Sequence, residues 1–311
     1  MAANAVIQTS NLTKVYSGGK PALDQLSLSV NRGEIFGYLG PNGAGKTTTI
    51  RLLLDLIRPT SGSAAIFGMD VNAQSVEIRK RVGFLPGELN LWDRLTAREI
   101  VNYLGNLRGG VNTSYVNQLA ERLSFDLSKK VRTYSTGNKR KLGLILALMN
   151  KPDLLILDEP SSGLDPLMQQ TFNQLMLEAK ADGCTIFLSS HVLSEVQAIC
   201  DRVGILNAGK LITVESVERL TRADFRRVTL RFRSPVAPTL VSGVQGVTSV
   251  SADQPNVLSL QLQGDFDPLL KAINGQYVQD ITVTEPTLED IFLTYYGSQP
   301  ATNNHRVAEK V

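Results

Sequence analysis

The sequence predicts an α/β protein, with helices packed on a parallel sheet, followed by a smaller α+β domain. Three observations carry this. Short apolar runs that read as buried strands alternate with stretches of helical spacing. A glycine-rich segment separates one such run from one such helix, at Gly40 to Lys46. After about residue 220 the pattern changes to short alternating strands with small helical pieces between them.

Taken in order, residues 6–39 predict short strands. Leu26, Leu28 and Val30 alternate with polar residues, and Ile35 to Leu39 is a compact apolar run. A helix is predicted over Thr47 to Ile57, with Ile50, Leu53, Leu54 and Ile57 on one face. Residues from about 90 to 150 predict a helical subdomain. Pro152 disfavours helical backbone at Lys151, so its last helix should stop near Asn150. Leu154–Leu157 and Thr185–Ser189 read as buried strands, and the turn Asn207–Lys210 joins two short strand-like runs. These elements make a first domain over 1–220.

A second domain is expected over 221–297. Val228, Leu230 and Phe232 alternate, then Val257, Leu258, Leu260 and Leu262, then Ile281 and Val283, with a helix near Asp267–Ile273. The order strand, helix, two strands, helix, strand fits a small ferredoxin-like α+β domain. A closing helix is predicted over Thr287–Tyr296, and the polar stretch 298–311 reads as a flexible tail.

Composition narrows the function classes. A chain of 311 residues allows about two domains. With 42% hydrophobic and 20% charged residues it is not a mainly disordered chain. Its 32 basic and 29 acidic residues leave a net charge of +3, too small an excess to suggest a nucleic-acid partner, and none is expected. The longest strongly apolar run, Leu142–Met149, is far short of the ~20 residues of a membrane span, so the chain is not expected to cross a bilayer. No secretory signal is visible at the N-terminus. Cys184 and Cys200 form no C-x-x-C and read as two buried thiols in a reducing cytoplasm.

The segment Gly40-Pro41-Asn42-Gly43-Ala44-Gly45-Lys46-Thr47 matches G-x-x-x-x-G-K-[ST] in full. Glycines let backbone N–H groups turn toward phosphate oxygens, and the following helix points its positive end at the same anion. Lys46 would reach the β and γ phosphates, and the Thr47 hydroxyl would ligate Mg²⁺. The candidate nucleotide-binding run is therefore Asn42, Gly43, Ala44, Gly45, Lys46, Thr47 and Thr48. Leu154–Leu157 ends in Asp158-Glu159. Asp158 suits Mg²⁺ at that strand end, and Glu159 would orient or deprotonate an attacking water. Asn150-Lys151-Pro152-Asp153 has the N-K-x-D form of a guanine-specificity motif. No D-x-x-G lies between Lys46 and Asn150, so it reads as a polar turn entering the next strand.

Together these residues resemble the ATP-binding subunit of an ABC transporter. Tyr134-Ser135-Thr136-Gly137-Asn138 is similar to the family's L-S-G-G-Q signature, with Ser135 lying 23 residues before Asp158. Pro160–Asp165 looks like its D-loop, and Ser189-Ser190-His191 like its switch histidine. Tyr16, 30 residues before Lys46, is placed like the aromatic that stacks on adenine; as an alternative it is an ordinary strand-end tyrosine. The resemblance covers about residues 5–215. It implies a P-loop NTPase cassette with a RecA-like core, an antiparallel β subdomain and a helical subdomain. It also implies ATP and Mg²⁺ as cofactors, and a head-to-tail ATP-dependent dimer with itself or a paralogue. In that dimer Ser135, Thr136, Gly137 and Asp165 act across the interface and His191 meets the γ-phosphate. Asp165 also suits a helix N-cap.

Glu285–Leu293 looks like the closing segment of a C-terminal domain in the bacterial drug and antibiotic exporter branch, the type 2 exporters. That implies a permease on a separate membrane-spanning chain and a peripheral location on the cytoplasmic face of a bacterial membrane. The family has Gln where Gly87 falls. Glu88 is the candidate replacement ligand, or else a plain acidic loop residue. Leu89, Leu91 and Trp92 read either as core or as a patch that takes a short helix from the permease. Two other functions compete with this one. A soluble ABC ATPase acting on DNA or ribosomes usually carries two cassettes or long insertions, and here Ser135 follows Lys46 by only 89 residues. A module that holds ATP without hydrolysing it usually lacks the acid that Glu159 supplies.

Overall fold

A computed structural model describes residues 5–221 and 225–284. The chain forms two compact units, Met1–Ser216 and Val217–Val311. The first runs β1 (Ala5–Val15), β2 (Pro21–Leu26), β3 (Ser29–Asn31), β4 (Ile35–Leu39), α1 (Lys46–Leu53), β5 (Ser61–Ile66), β6 (Met69–Asp70), α2 (Ser75–Arg81) and β7 (Val82–Leu85). It continues with α3 (Ala97–Asn106), α4 (Thr113–Arg122), α5 (Thr136–Leu148), β8 (Leu154–Asp158), α6 (Pro166–Ala181), β9 (Thr185–Ser190), α7 (Leu193–Ile199), β10 (Arg202–Asn207) and β11 (Lys210–Ser216).

The central sheet has the order β11-β10-β4-β9-β8-β7. All neighbours are parallel except the β10–β11 hairpin. Every residue of β4, β8 and β9 is buried, as strands covered on both faces require. This explains why they read as unbroken apolar runs rather than as alternation. The register is what builds the site. Leu39 pairs with Ser190 and Asp158 with Ser189, so the carboxyl ends of β4, β8 and β9 finish side by side. Ligands of open α/β sheets bind in the crevice outside such strand ends. A second sheet, β2-β1-β5-β6 with β3 also on β1, is antiparallel throughout.

The helical subdomain is inserted between β7 and β8. Thr96 caps α3 with a full capping box, accepting from Glu99 N–H while the Glu99 carboxylate accepts from Thr96 N–H. Its last helix, α5, ends at Leu148, close to where Pro152 predicts a stop. α5 lies tightly on β7: a Cβ built on Gly83 would stand 2.1 Å from the Ala147 carbonyl oxygen and 2.8 Å from Leu155 Cδ2. Backbone cannot give way as a flexible side chain can. Gly83→Ala is therefore expected to destabilise the chain by about 2–3 kcal/mol, seen as a lower urea midpoint at unchanged slope.

The helix predicted over Thr47–Ile57 is corrected at its end. α1 stops at Leu53 because Asp55 takes a left-handed conformation, φ 56°. The Leu56 N–H then bonds Arg51 O at 2.8 Å and the Asp55 N–H bonds Leu52 O at 3.1 Å. This is a Schellman closure, and the apolar period simply runs on past it.

The second unit contains α8 (Val217–Thr221), β12 (Phe225–Phe232), β13 (Val247–Gln254), β14 (Val257–Gln263), α9 (Asp267–Ala272) and β15 (Val278–Thr284). Its antiparallel sheet has the order β13-β14-β12-β15, the ferredoxin-like arrangement. Val228, Leu230, Phe232, Leu258, Leu260 and Leu269 form its core. One element differs from expectation. In place of a first crossover helix there is only a 3₁₀ turn at Pro238–Leu240. The predicted helix Thr287–Tyr296, the tail 298–311 and the segment Glu285–Leu293 lie outside the described residues. No helix among the described residues is long and apolar enough to cross a membrane.

Candidate functional site

The glycine-rich loop joins β4 to α1. Gly43 and Gly45 have φ of 81° and 111°, and a Cβ on Gly45 would lie 2.6 Å from Ala22 O, so only glycine fits there. The loop is braced from outside: Gly209 N–H donates to Ala44 O at 2.9 Å, and Asp24 N–H to Gly209 O at 2.8 Å. A cavity of about 410 Å³ lies against it, with Lys20, Ala22, Asn42, Gly43 and Ala208 in its wall. The first N–H groups of α1, from Lys46 to Thr48, have no intrahelical acceptor, as at every helix start. Tyr16 lies just past β1, 44% exposed, with Lys14 Nζ 5.3 Å from its ring centre.

The charged groups converge at the strand ends. Lys46 is only 6% exposed. Its Nζ donates to Gly40 O at 2.6 Å and Pro41 O at 3.3 Å and pairs with Glu159 Oε1 at 3.2 Å. The other carboxylate oxygen of Glu159 meets His191 Nδ1 at 2.6 Å. Asp158 is buried at the end of β8. It accepts from Thr47 Oγ1 at 2.9 Å and from Ser189 Oγ at 2.6 Å. The Glu159 N–H in turn donates to Ser189 Oγ at 3.1 Å. The Thr47 hydroxyl and the Asp158 carboxylate are hard oxygen donors side by side at the loop's mouth, a set that fits Mg²⁺.

The remaining predicted residues fall in two places. Gly87 lies beside Asp158: a Cβ built on Gly87 would be 3.2 Å from Asp158 Oδ2. Glu88 is exposed, and none of the bonds described at Thr47 or Asp158 involves it. Ser135, Thr136 and Gly137 sit at the start of α5, with Ser135 as N-cap accepting from Asn138 N–H at 3.3 Å. Ser135 and Thr136 face solvent, and a Cβ on Gly137 would lie 3.0 Å from Gly163 O. Asp165 caps α6, accepting from Met168 N–H at 2.9 Å. The N-K-x-D tetrapeptide sits at the opposite end of β8 from Asp158, roughly 16 Å away along five strand residues. Its Asp153 is paired with Arg81 at 2.6 Å.

Two residues of this site escape a reading of the sequence. Ser189 orients Asp158, as above. Arg140, on α5, is buried and donates to the carbonyls of Pro86, Gly87, Asp158, Glu159 and Pro160. Burial draws its guanidinium below the usual value, and the Asp158 and Glu159 carboxylates oppose that shift. The middle residue of the basic run Lys139-Arg140-Lys141 carries no sequence signal that sets it apart from its neighbours.

A phosphate-cradling loop, a buried lysine, an oxygen pair suited to Mg²⁺ and a histidine-bound glutamate define a nucleoside-triphosphate hydrolase of the P-loop class. The ABC transporter family model matches residues 23–162. The bacitracin transport ATP-binding protein BcrA of Bacillus licheniformis is 35% identical over 302 residues, covering 94% of this chain and 98% of the relative. The linearmycin resistance ATP-binding protein LnrL of Bacillus subtilis is 34% identical over 312 residues, covering 94% and 98%. A solved structure of an ATP-binding subunit of an ABC transporter shares 29% identity with a TM-score of 0.64, covering 70% of this chain and 92% of that one. The chain belongs to the ABC transporter family, as an ATP-binding and ATP-hydrolysing subunit. A dimeric cassette bound to ADP and phosphate, 24% identical with a TM-score of 0.63, shares its fold.

Proposed function

We propose that this chain powers export of an antibiotic, bacitracin-like or linearmycin-like in class, through a separate membrane-spanning permease, and works as a head-to-tail dimer at the inner face of a bacterial membrane. The observation that carries the catalytic part is Glu159, held between Lys46 and His191 at 3.2 and 2.6 Å. ATP would bind along Asn42–Thr48, with Tyr16 against the adenine, and its phosphates would draw Lys46 away from the loop carbonyls. Thr47 and Asp158 would hold Mg²⁺, which supplies charge neutralisation for the phosphates. Glu159 accepts the proton of the attacking water, and His191 orients Glu159 and faces the γ-phosphate. Ser135–Gly137 and Asp165, at the helix starts of the same chain, would complete the partner's site.

Support for the partner and the cargo comes from the similarity, over 94% of the chain, to the bacitracin transport and linearmycin resistance relatives. A surface for the permease is offered by Trp92, half exposed and set edge-on to exposed Tyr103 at 5.5 Å. Apolar side chains grouped in this way mark interaction sites.

The test is purification of the tagged full-length chain from native membranes in mild detergent with ATP. Mass spectrometry should find a stoichiometric multi-span protein. Recovery with ribosomes or DNA and no membrane protein would overturn the exporter reading.

A further inference from the structure

Arg140 stands one turn into α5, five residues after Ser135. Its five N–H donors meet five carbonyl oxygens. Nη1 donates to Pro86 O at 2.6 Å and Gly87 O at 3.1 Å, Nε to Pro160 O at 3.2 Å, and Nη2 to Asp158 O and Glu159 O. The acceptors lie just past β7 and at and just past the end of β8. No carboxylate oxygen is among them, so every hydrogen bond of the guanidinium goes to backbone, while the nearby Asp158 and Glu159 carboxylates favour its charge. Burying a guanidinium is costly unless every donor is met, which ties the three segments to one another.

Two of those carbonyls belong to the residues that carry the chemistry. Glu159 has φ 51°, a conformation that a residue with a side chain keeps only when its surroundings hold it there. The bonds from Arg140 to the carbonyls on both sides of that turn are such a constraint. At the other end of the same lever, Ser135 is about 7.5 Å away along the helix axis. α5 is a 13-residue helix, so its first turn and Arg140 move together.

We propose that Arg140 is a positioning residue for hydrolysis and the link between the two ATP sites of the dimer. When the start of α5 closes on the partner's nucleotide, Arg140 sets the Asp158–Glu159 backbone in its own chain's site. The linking half rests on the head-to-tail dimer proposed above. Arg140 touches no nucleotide and acts through Glu159.

The test uses the full-length chain with Arg140→Lys and Arg140→Gln. Steady-state hydrolysis is measured against ATP concentration, binding of a fluorescent ATP analogue beside it, and the folded fraction by thermal melt. A misplacement of about 1 Å at a reacting group costs on the order of 10²-fold. Arg140→Gln should therefore lower kcat about 100-fold per folded molecule, with analogue affinity changed less than about threefold. Arg140→Lys should recover part of this, and the Hill coefficient should fall toward 1 in both. Wild-type kcat per folded molecule in Arg140→Gln overturns the positioning role. A wild-type Hill coefficient in variants that still dimerise overturns the link. Absence of an ATP-dependent dimer in Glu159→Gln alone overturns the dimer reading and the link with it, while the kcat comparison still decides the positioning role.

Discussion

Glu159→Gln is expected to lower ATP turnover by about 10²–10⁴-fold, the range in which a general base contributes, while ATP stays bound. The carboxylate has a cation on one oxygen and an imidazole on the other. Glutamine keeps the shape and the backbone turn but accepts no proton from water. It also releases Lys46 from its only carboxylate partner among the described residues, so the lysine turns to phosphate without competition. Affinity for ATP should hold or rise, and an ATP-bound dimer should accumulate. Phosphate release and size-exclusion chromatography with and without ATP measure both effects. Turnover within threefold of wild type would remove Glu159 from the proposed role.

Lys46→Ala is expected to fail earlier, at binding. Lys46 Nζ is nearly sealed from solvent and bonded to two loop carbonyls and Glu159. A bound nucleotide exchanges these for phosphate oxygens in a site with little water to screen the charge. Charge-assisted hydrogen bonds are each worth about 1.5–3 kcal/mol. Losing the lysine should weaken ATP by about 100-fold, or about 3 kcal/mol. The fold should survive, since the loop is braced by Gly209 and by the positive-φ glycines rather than by the lysine. Titration calorimetry at a verified folded fraction is the measurement. Unchanged affinity would mean that the phosphates bind elsewhere.

How far such residues can be read from the sequence differs from one to the next. The loop from Gly40 to Thr47 is legible because its chemistry is local: eight consecutive residues supply the turn, the amides, the cation and the hydroxyl. Asp158 and Glu159 are legible because two acids closing a buried apolar strand are costly unless a cation or a donor meets them there. The N-K-x-D tetrapeptide shows the limit of motif matching, since the residues are present but occupy the wrong end of β8. The end of α1 is hidden for a different reason. Asp55 in a left-handed closure stops the helix while the apolar period continues to Ile57. In the second unit, the strand order suggests a helical first crossover where the chain makes one 3₁₀ turn.

By itself, then, the sequence determined the class of chemistry, the strand-loop-helix that holds phosphate, the acids at the end of β8 and the two-part division of the chain's texture. Each of these is written in neighbouring residues or in a short-range period. Only the tertiary structure decided that Ser189 holds Asp158, that Gly87 stands beside it, and that Arg140 gathers five carbonyls from the ends of two strands. These depend on the pairing of β8 with β9 and on α5 lying flush against β7 over Gly83. Both are contacts between residues far apart in the chain, and sheet register and helix packing, not local propensity, bring them together.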